Sequence, residues 1–149
     1  MCDKIYFGGG ILVEREIKIK EWFDMWIENR SEGIENIFEE NAVYIESWGP
    51  KYEGISAIRH WFEEWNTRGR VNVWDIKQFF HKENQTIVEW YFCNKMNYGK
   101  EEKFDGLSLI EWRNDKICFL KEYGCNINNY NPYEKGDKPI FKDEQINWF

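Results

Sequence analysis

The chain has 149 residues, a net charge of −7 and 19% aromatic residues, with nine Trp among them. That length suits one domain with a single core, and acidic residues scattered along the chain argue against a nucleic-acid-binding surface. Four cysteines without a CxxC pair and only two His give no zinc pattern, and no apolar run is long enough to span a bilayer.

The opening MCDKIYFGGGILVE is too polar for a secretory signal, so the expectation is a cytoplasmic protein with reduced thiols. Residues 1–13 read as a flexible N-terminal arm broken at the glycines 8–10. A helix follows, because Ile19, Trp22, Phe23, Trp26 and Ile27 recur on one helical stripe. Arg30 to Gly33 interrupt it, and a short second helix turns Ile34, Ile37 and Phe38 inward. A strand is expected over about 42–48, where Val43, Ile45 and Ser47 alternate with Tyr44, Glu46 and Trp48. Gly49, Pro50 and Gly54 bracket a turn.

A third helix is expected over about 55–68, with Ile55, Ile58, Trp61, Phe62 and Trp65 on its buried stripe and Gly69 as its stop. Four strands follow, at 71–82, 86–98, 103–113 and 116–126, rich in β-branched and aromatic residues. Their separators are short and turn-like, which implies antiparallel neighbours. From residue 128 to 149 the chain reads as a polar tail ending in Ile146, Trp148 and Phe149, apolar residues suited to docking on the body or on a second subunit. Helices first and an antiparallel sheet after them make an α+β domain.

Four stretches carry a family resemblance: FEENAVYIESWG, YEGISAIRHWF, LSLIEWRNDKI and CFLKEYGCN. Over residues 14–127 the order of elements resembles the NTF2-like fold of SnoaL-like polyketide cyclases and ketosteroid isomerases. The resemblance implies a cone-shaped barrel with three N-terminal helices packed on a curved antiparallel sheet. It also implies an open, ligand-binding cavity and a homodimer. FEENAVYIESWG looks like the isomerase segment that carries the general base, and Glu46 falls on that base. The isomerase's two oxygen-holding donors fall on Trp22 and about Ser108, which differ in type from the phenol and carboxyl of that enzyme. The late-strand acid common in SnoaL-like cyclases falls on Glu122.

Proton abstraction beside a carbonyl needs a base of raised pKa and donors facing the developing oxyanion. Glu46 between Tyr44 and Trp48 suits the base, with Glu122 or Asp105 as a second acid. The alternative for Glu46 is a solvated strand carboxylate or one paired with Lys; for Glu122 it is half of a cross-strand ion pair. Trp22, Trp26, Tyr44, Trp48, His60, Trp61, Trp90, Phe92 and Ser108 are the candidate ligand-binding residues. His60 lies beside the third helix's stripe, and His81 near a hairpin end. Nothing in the spacing demands a metal, and Cys93 and Cys118 read as inert buried thiols. The expectation is a cofactor-independent acid–base enzyme acting on a small apolar or aromatic molecule, with no nucleic-acid or membrane partner. A non-catalytic ligand-binding or dimerisation module of the same fold is the alternative.

Overall fold

The structure, a computed structural model, describes the backbone of residues 3–142 and side chains from residue 9 onward. Ile146, Trp148 and Phe149 lie outside the described residues, as does Cys2. The elements run α1 (Asp3–Glu28), α2 (Ile34–Ile37), β1 (Phe38–Ile45), β2 (Lys51–Glu53), α3 (Ile55–Arg68), β3 (Gly69–Lys82), β4 (Gln85–Met96), β5 (Glu101–Arg113) and β6 (Lys116–Asn126). One six-stranded sheet holds the order β2-β1-β6-β5-β4-β3.

The helices form where their apolar stripes demand burial. Ile19, Trp22, Phe23, Met25 and Trp26 are buried along α1, and Ile58, Trp61 and Phe62 along α3. These pack on inward side chains of the sheet, among them Val71, Trp74, Val88, Trp90, Ile110, Ile117 and Leu120. Each fully buried large side chain is worth about 1.5–3 kcal/mol relative to exposure. No helix among the described residues is long and apolar enough to cross a membrane.

Three expectations change. The helix α1 runs through residues 8–10, where an irregular arm was expected. Glycine makes a helix costlier by about 1 kcal/mol each but forbids nothing, and a Cβ at Gly9 or Gly10 would meet no neighbour. The first strand starts at Phe38, earlier than its alternation begins, because Phe38 pairs with Ile117 ahead of a register shift before Val43. It ends at Ile45, and the expected turn is the loop of a hairpin whose return strand β2 sets Tyr52 opposite Tyr44. Finally, the sheet is not wholly antiparallel: β1 runs parallel to β6, with Tyr44 opposite Leu120 and Ile45 opposite Lys121.

Curvature comes from irregularities in the long strands. Register shifts lie at Val71/Val73 and Ile76/Gln78 in β3, and at Glu111/Trp112 in β5. Each adds local bend and twist. Gly106 makes room on the concave side. It pairs with Trp90, and a Cβ there would sit 2.6 Å from Trp90 Cζ2 and Cζ3. The indole thus lies over β5, donating from Nε1 to Ser108 Oγ at 2.9 Å. Replacing Gly106 by Ala must push that ring away and is expected to cost about 1–3 kcal/mol, by the overpacking principle. Urea unfolding monitored by Trp fluorescence checks this; an unchanged midpoint would refute the close packing of Trp90 on Gly106.

Candidate active site

Between the helices and the concave side of the sheet lies a cavity of about 560 Å³. Its walls are aromatic: Trp26, Tyr52, Trp61, Trp65, Trp74, Trp90, Phe92 and Phe104. Trp48 and Tyr98, 60% and 74% exposed, mark its mouth. The rings brace one another, as in the Tyr52–Trp61 stack at 4.5 Å and 13° and the Trp26–Trp61 contact at 4.9 Å. Such contacts add to the stabilisation of burial alone.

Of the four glutamates lining this space, Glu64 and Glu102 are ion-paired with Arg68 and Lys100, and Glu46 and Glu122 are bonded by neutral donors. Glu46 follows directly on β1, in the hairpin loop closed by its own N–H on Pro50 O at 2.9 Å. Its Oε1 accepts from the Tyr52 hydroxyl at 2.6 Å and its Oε2 from Trp48 Nε1 at 3.1 Å. Burial raises its pKa, while these two hydrogen bonds hold the rise back. Glu122 sits on β6 opposite Ser108, and its Oε1 accepts from the Tyr44 hydroxyl. Burial pushes the Glu122 carboxyl up to about 8; the Tyr44 bond opposes this and the nearby Glu46 charge adds to it. Burial also lifts the Tyr44 phenol well above its usual range, helped by the Glu122 charge. Tyr44 therefore serves as a fixed donor.

The parallel rung Ile45–Lys121 explains why the two acids meet. The next position on each chain is Glu46 and Glu122, and the period of two aims both to the concave side. Burial thus lifts both carboxyls, and at about 8 that of Glu122 keeps its proton at neutral pH.

The other candidate residues divide. Trp26, Trp48, His60, Trp61, Trp90 and Phe92 line the cavity, with His60 exposed at the rim. Three do not line it. Trp22 is fully buried behind it, against Phe38 at 4.8 Å and Phe62 at 5.7 Å. Tyr44 is fully buried and reaches the cavity only through Glu122. Ser108 is buried too, its hydroxyl taken by Trp90. Asp105 faces away: it pairs with Lys77 at 2.9 Å and stands opposite Tyr91 and Cys125 in the sheet. It lies on the outer side because its strand position has the opposite parity to Phe104.

Tyr52, Asn94 and Glu102 belong to the cavity and were not among the candidates. Asn94 and Glu102 share the inward parity of Phe92 and Phe104 and are opposed across β4 and β5, so the alternation alone could have placed them. Tyr52 had no such signal, lying in a three-residue strand. Among the described residues no group of three His, Cys, Asp or Glu could hold a metal ion.

The SnoaL-like domain family matches residues 19–120. The chain belongs to that family. No curated protein matches it, but solved structures do. A protein from Bacillus subtilis proposed to be an isomerase shares 17% identity and a TM-score of 0.69, over 82% of this chain and 89% of that one. An LEH-like epoxide hydrolase from M. tuberculosis shares 10% identity and a TM-score of 0.68, over 76% and 84%. A protein from Xanthomonas campestris pv. campestris proposed to be a polyketide cyclase shares 12% identity and a TM-score of 0.66, over 74% and 89%. At these identities the likeness shows the shared fold.

The raised Glu122 carboxyl makes the stability of this SnoaL-like domain pH-dependent. Its folded value exceeds the ordinary 4.5, so folding is unpenalised at pH below that value and loses stability as pH rises through about 8. Glu122→Gln cannot ionise. Relative to the parent it should gain stability between about pH 5 and about pH 9, with a slope of at most about 1.4 kcal/mol per pH unit. Parallel pH-dependent thermal melts of the two proteins measure that difference; a flat one would mean that Glu122 is not held protonated.

Proposed function

We propose that this SnoaL-like protein is a cofactor-independent acid–base enzyme, an isomerase, cyclase or hydrolase, acting on a small molecule with an apolar body. The observation that carries it is the pairing, in one aromatic cavity, of Glu46 with Glu122, whose carboxyl burial pushes up to about 8. Glu46 takes a proton from the substrate. Glu122, its Oε1 engaged by Tyr44, presents its own proton to the oxygen on which charge develops. Desolvation by the ring walls strengthens both interactions. Isomerisation, cyclisation and epoxide opening, the reactions in the neighbours' names, are all acid–base chemistry. Tyr52 is a positioning residue, fixing Glu46 through its 2.6 Å hydrogen bond.

One observation favours the binding-only alternative. Both Glu46 oxygens already accept a hydrogen bond, which lowers their basicity. Deuterium uptake beside the carbonyl of apolar cyclic ketones, followed by NMR in D2O, separates the two. The acid–base reading expects uptake that falls roughly a hundredfold or more in Glu46→Gln, with ligand binding retained. Binding across the panel with no uptake above buffer would decide for the binding module, and uptake unchanged in Glu46→Gln would remove Glu46 as the base.

The protein is also a homodimer through the outer side of its sheet in this proposal. Ile87, Leu107 and Tyr123 are exposed there, and Leu109 lies among them. An apolar patch of this kind marks an association surface. Leu107→Lys should convert a sedimenting dimer to monomer without unfolding it; a parent that sediments as a monomer at micromolar concentration contradicts the dimer.

A further inference from the structure

The acids of this cavity are not treated alike. Glu64 binds Arg68 at 2.7 Å, and Glu102, only 16% exposed, binds Lys100 at 2.8 Å. Glu46 and Glu122 have no such partner among the ion pairs of the described residues. Their hydrogen bonds come from the neutral groups of Tyr52, Trp48 and Tyr44. Arg68, the arginine at the mouth, is held by Glu64 through two bonds of 2.7 and 2.9 Å. Arg68 acts on Glu46 through space without an ion pair, and an ionised carboxylate in a desolvated chamber with no cation bonded to it is costly. A ligand that brings the positive charge removes the cost.

Asn94 points the same way independently. It is 4% exposed and lines the cavity. Its Nδ2 donates to Glu102 Oε2 at 3.2 Å, which fixes the orientation of the amide. The carbonyl Oδ1 is left buried without a partner. Buried acceptors are normally satisfied, and this one requires a donor. The aromatic walls complete the pattern, since ring faces attract cations. The unpartnered Trp26 and Trp74 Nε1 groups are donors, but they are neutral and do not offset the carboxylates.

The geometry points to a protonated organic amine with an apolar body as the ligand of this cavity, its ammonium near Glu46 and its body against the rings of Trp61, Trp90 and Phe92. This rests on the cavity being the small-molecule site proposed above.

The test uses three probes of one shape and different charge: benzylammonium, benzyl alcohol and benzoate. Each is titrated into the whole protein at neutral pH, followed by Trp fluorescence and calorimetry. Benzylammonium should bind at least about tenfold tighter than benzyl alcohol, with benzoate weakest. Glu46→Gln should cut the preference for the ammonium to about threefold or less, whereas Glu122→Gln, as neutral as the protonated Glu122 it replaces, should leave most of it. Benzyl alcohol binding as tightly as the ammonium, or a preference undiminished in Glu46→Gln, overturns the amine and leaves the small-molecule site standing. Binding of none of the three, in a protein whose melting is normal, overturns the small-molecule site and the amine with it.

Discussion

Parallel pairing of β1 with β6 joins the first strand of the chain to the last, and the placing of the cavity's acids depends on it. Bringing together strands so far apart in sequence carries an entropic cost of closure. Its reward is a rung that sets Tyr44 beside Leu120 and Ile45 beside Lys121. From there the period of two leaves no choice: the Tyr44 hydroxyl meets Glu122, and Glu46 lands at the adjacent position. A slip of one residue would turn Glu122 to the outer side and Lys121 inward. The register is held by the apolar partners that share this side, Ala42, Tyr44, Ile117 and Leu120, all fully buried.

That register forces two like charges toward one desolvated space, a net cost to the fold. The chain meets it chiefly with neutral donors, Arg68 acting on Glu46 only through space. Tyr52 and Trp48 donate to Glu46 and Tyr44 donates to Glu122, and the remaining strain is relieved by keeping a proton on Glu122. A Lys or Arg in place of one donor would stabilise the ionised pair, whereas the neutral donors leave the Glu122 carboxyl raised.

Much of this was legible in the sequence, and the limits are physical. The helix α3 was read with its observed ends, because its stripe is regular and Gly54 and Gly69 bound it. The strand β6 was also read with its observed ends, and β3 to β5 to within two residues, because β-branched and aromatic runs are separated by turn residues. What failed was non-local. The three-residue β2 exists only through its pairing with β1, and the β1–β6 rung depends on tertiary closure. Trp22 and Trp26 lie one turn apart on the same stripe, yet only Trp26 reaches the cavity; Trp22 is enclosed by Phe38, Tyr44 and Phe62. Asp105 and Glu122 were equivalent as acids in late strands. Parity separates them, since Ser108, three residues after Asp105, faces Glu122 across the ladder.

The unusual aromatic content follows from the same constraint. A cavity of about 560 Å³ in a single small core would collapse around flexible aliphatic chains, because unfilled space forfeits packing energy. Rings resist collapse. Each has few rotatable bonds, and each here leans on another: Phe23 stacks on Trp74 at 4.0 Å, Trp74 meets Trp90 edge-on at 5.7 Å, and Trp90 rests over Gly106. This chain of contacts runs from α1 across β3 and β4 to β5, so the wall is a continuous brace between helix and sheet. It keeps water-sized space beside Glu46 and Glu122 while lowering the local polarity that sets their protonation. The aromatics of the walls and the raised Glu122 carboxyl are thus one structural fact: the same rings that hold the chamber open belong to the burial that pushes that carboxyl up to about 8.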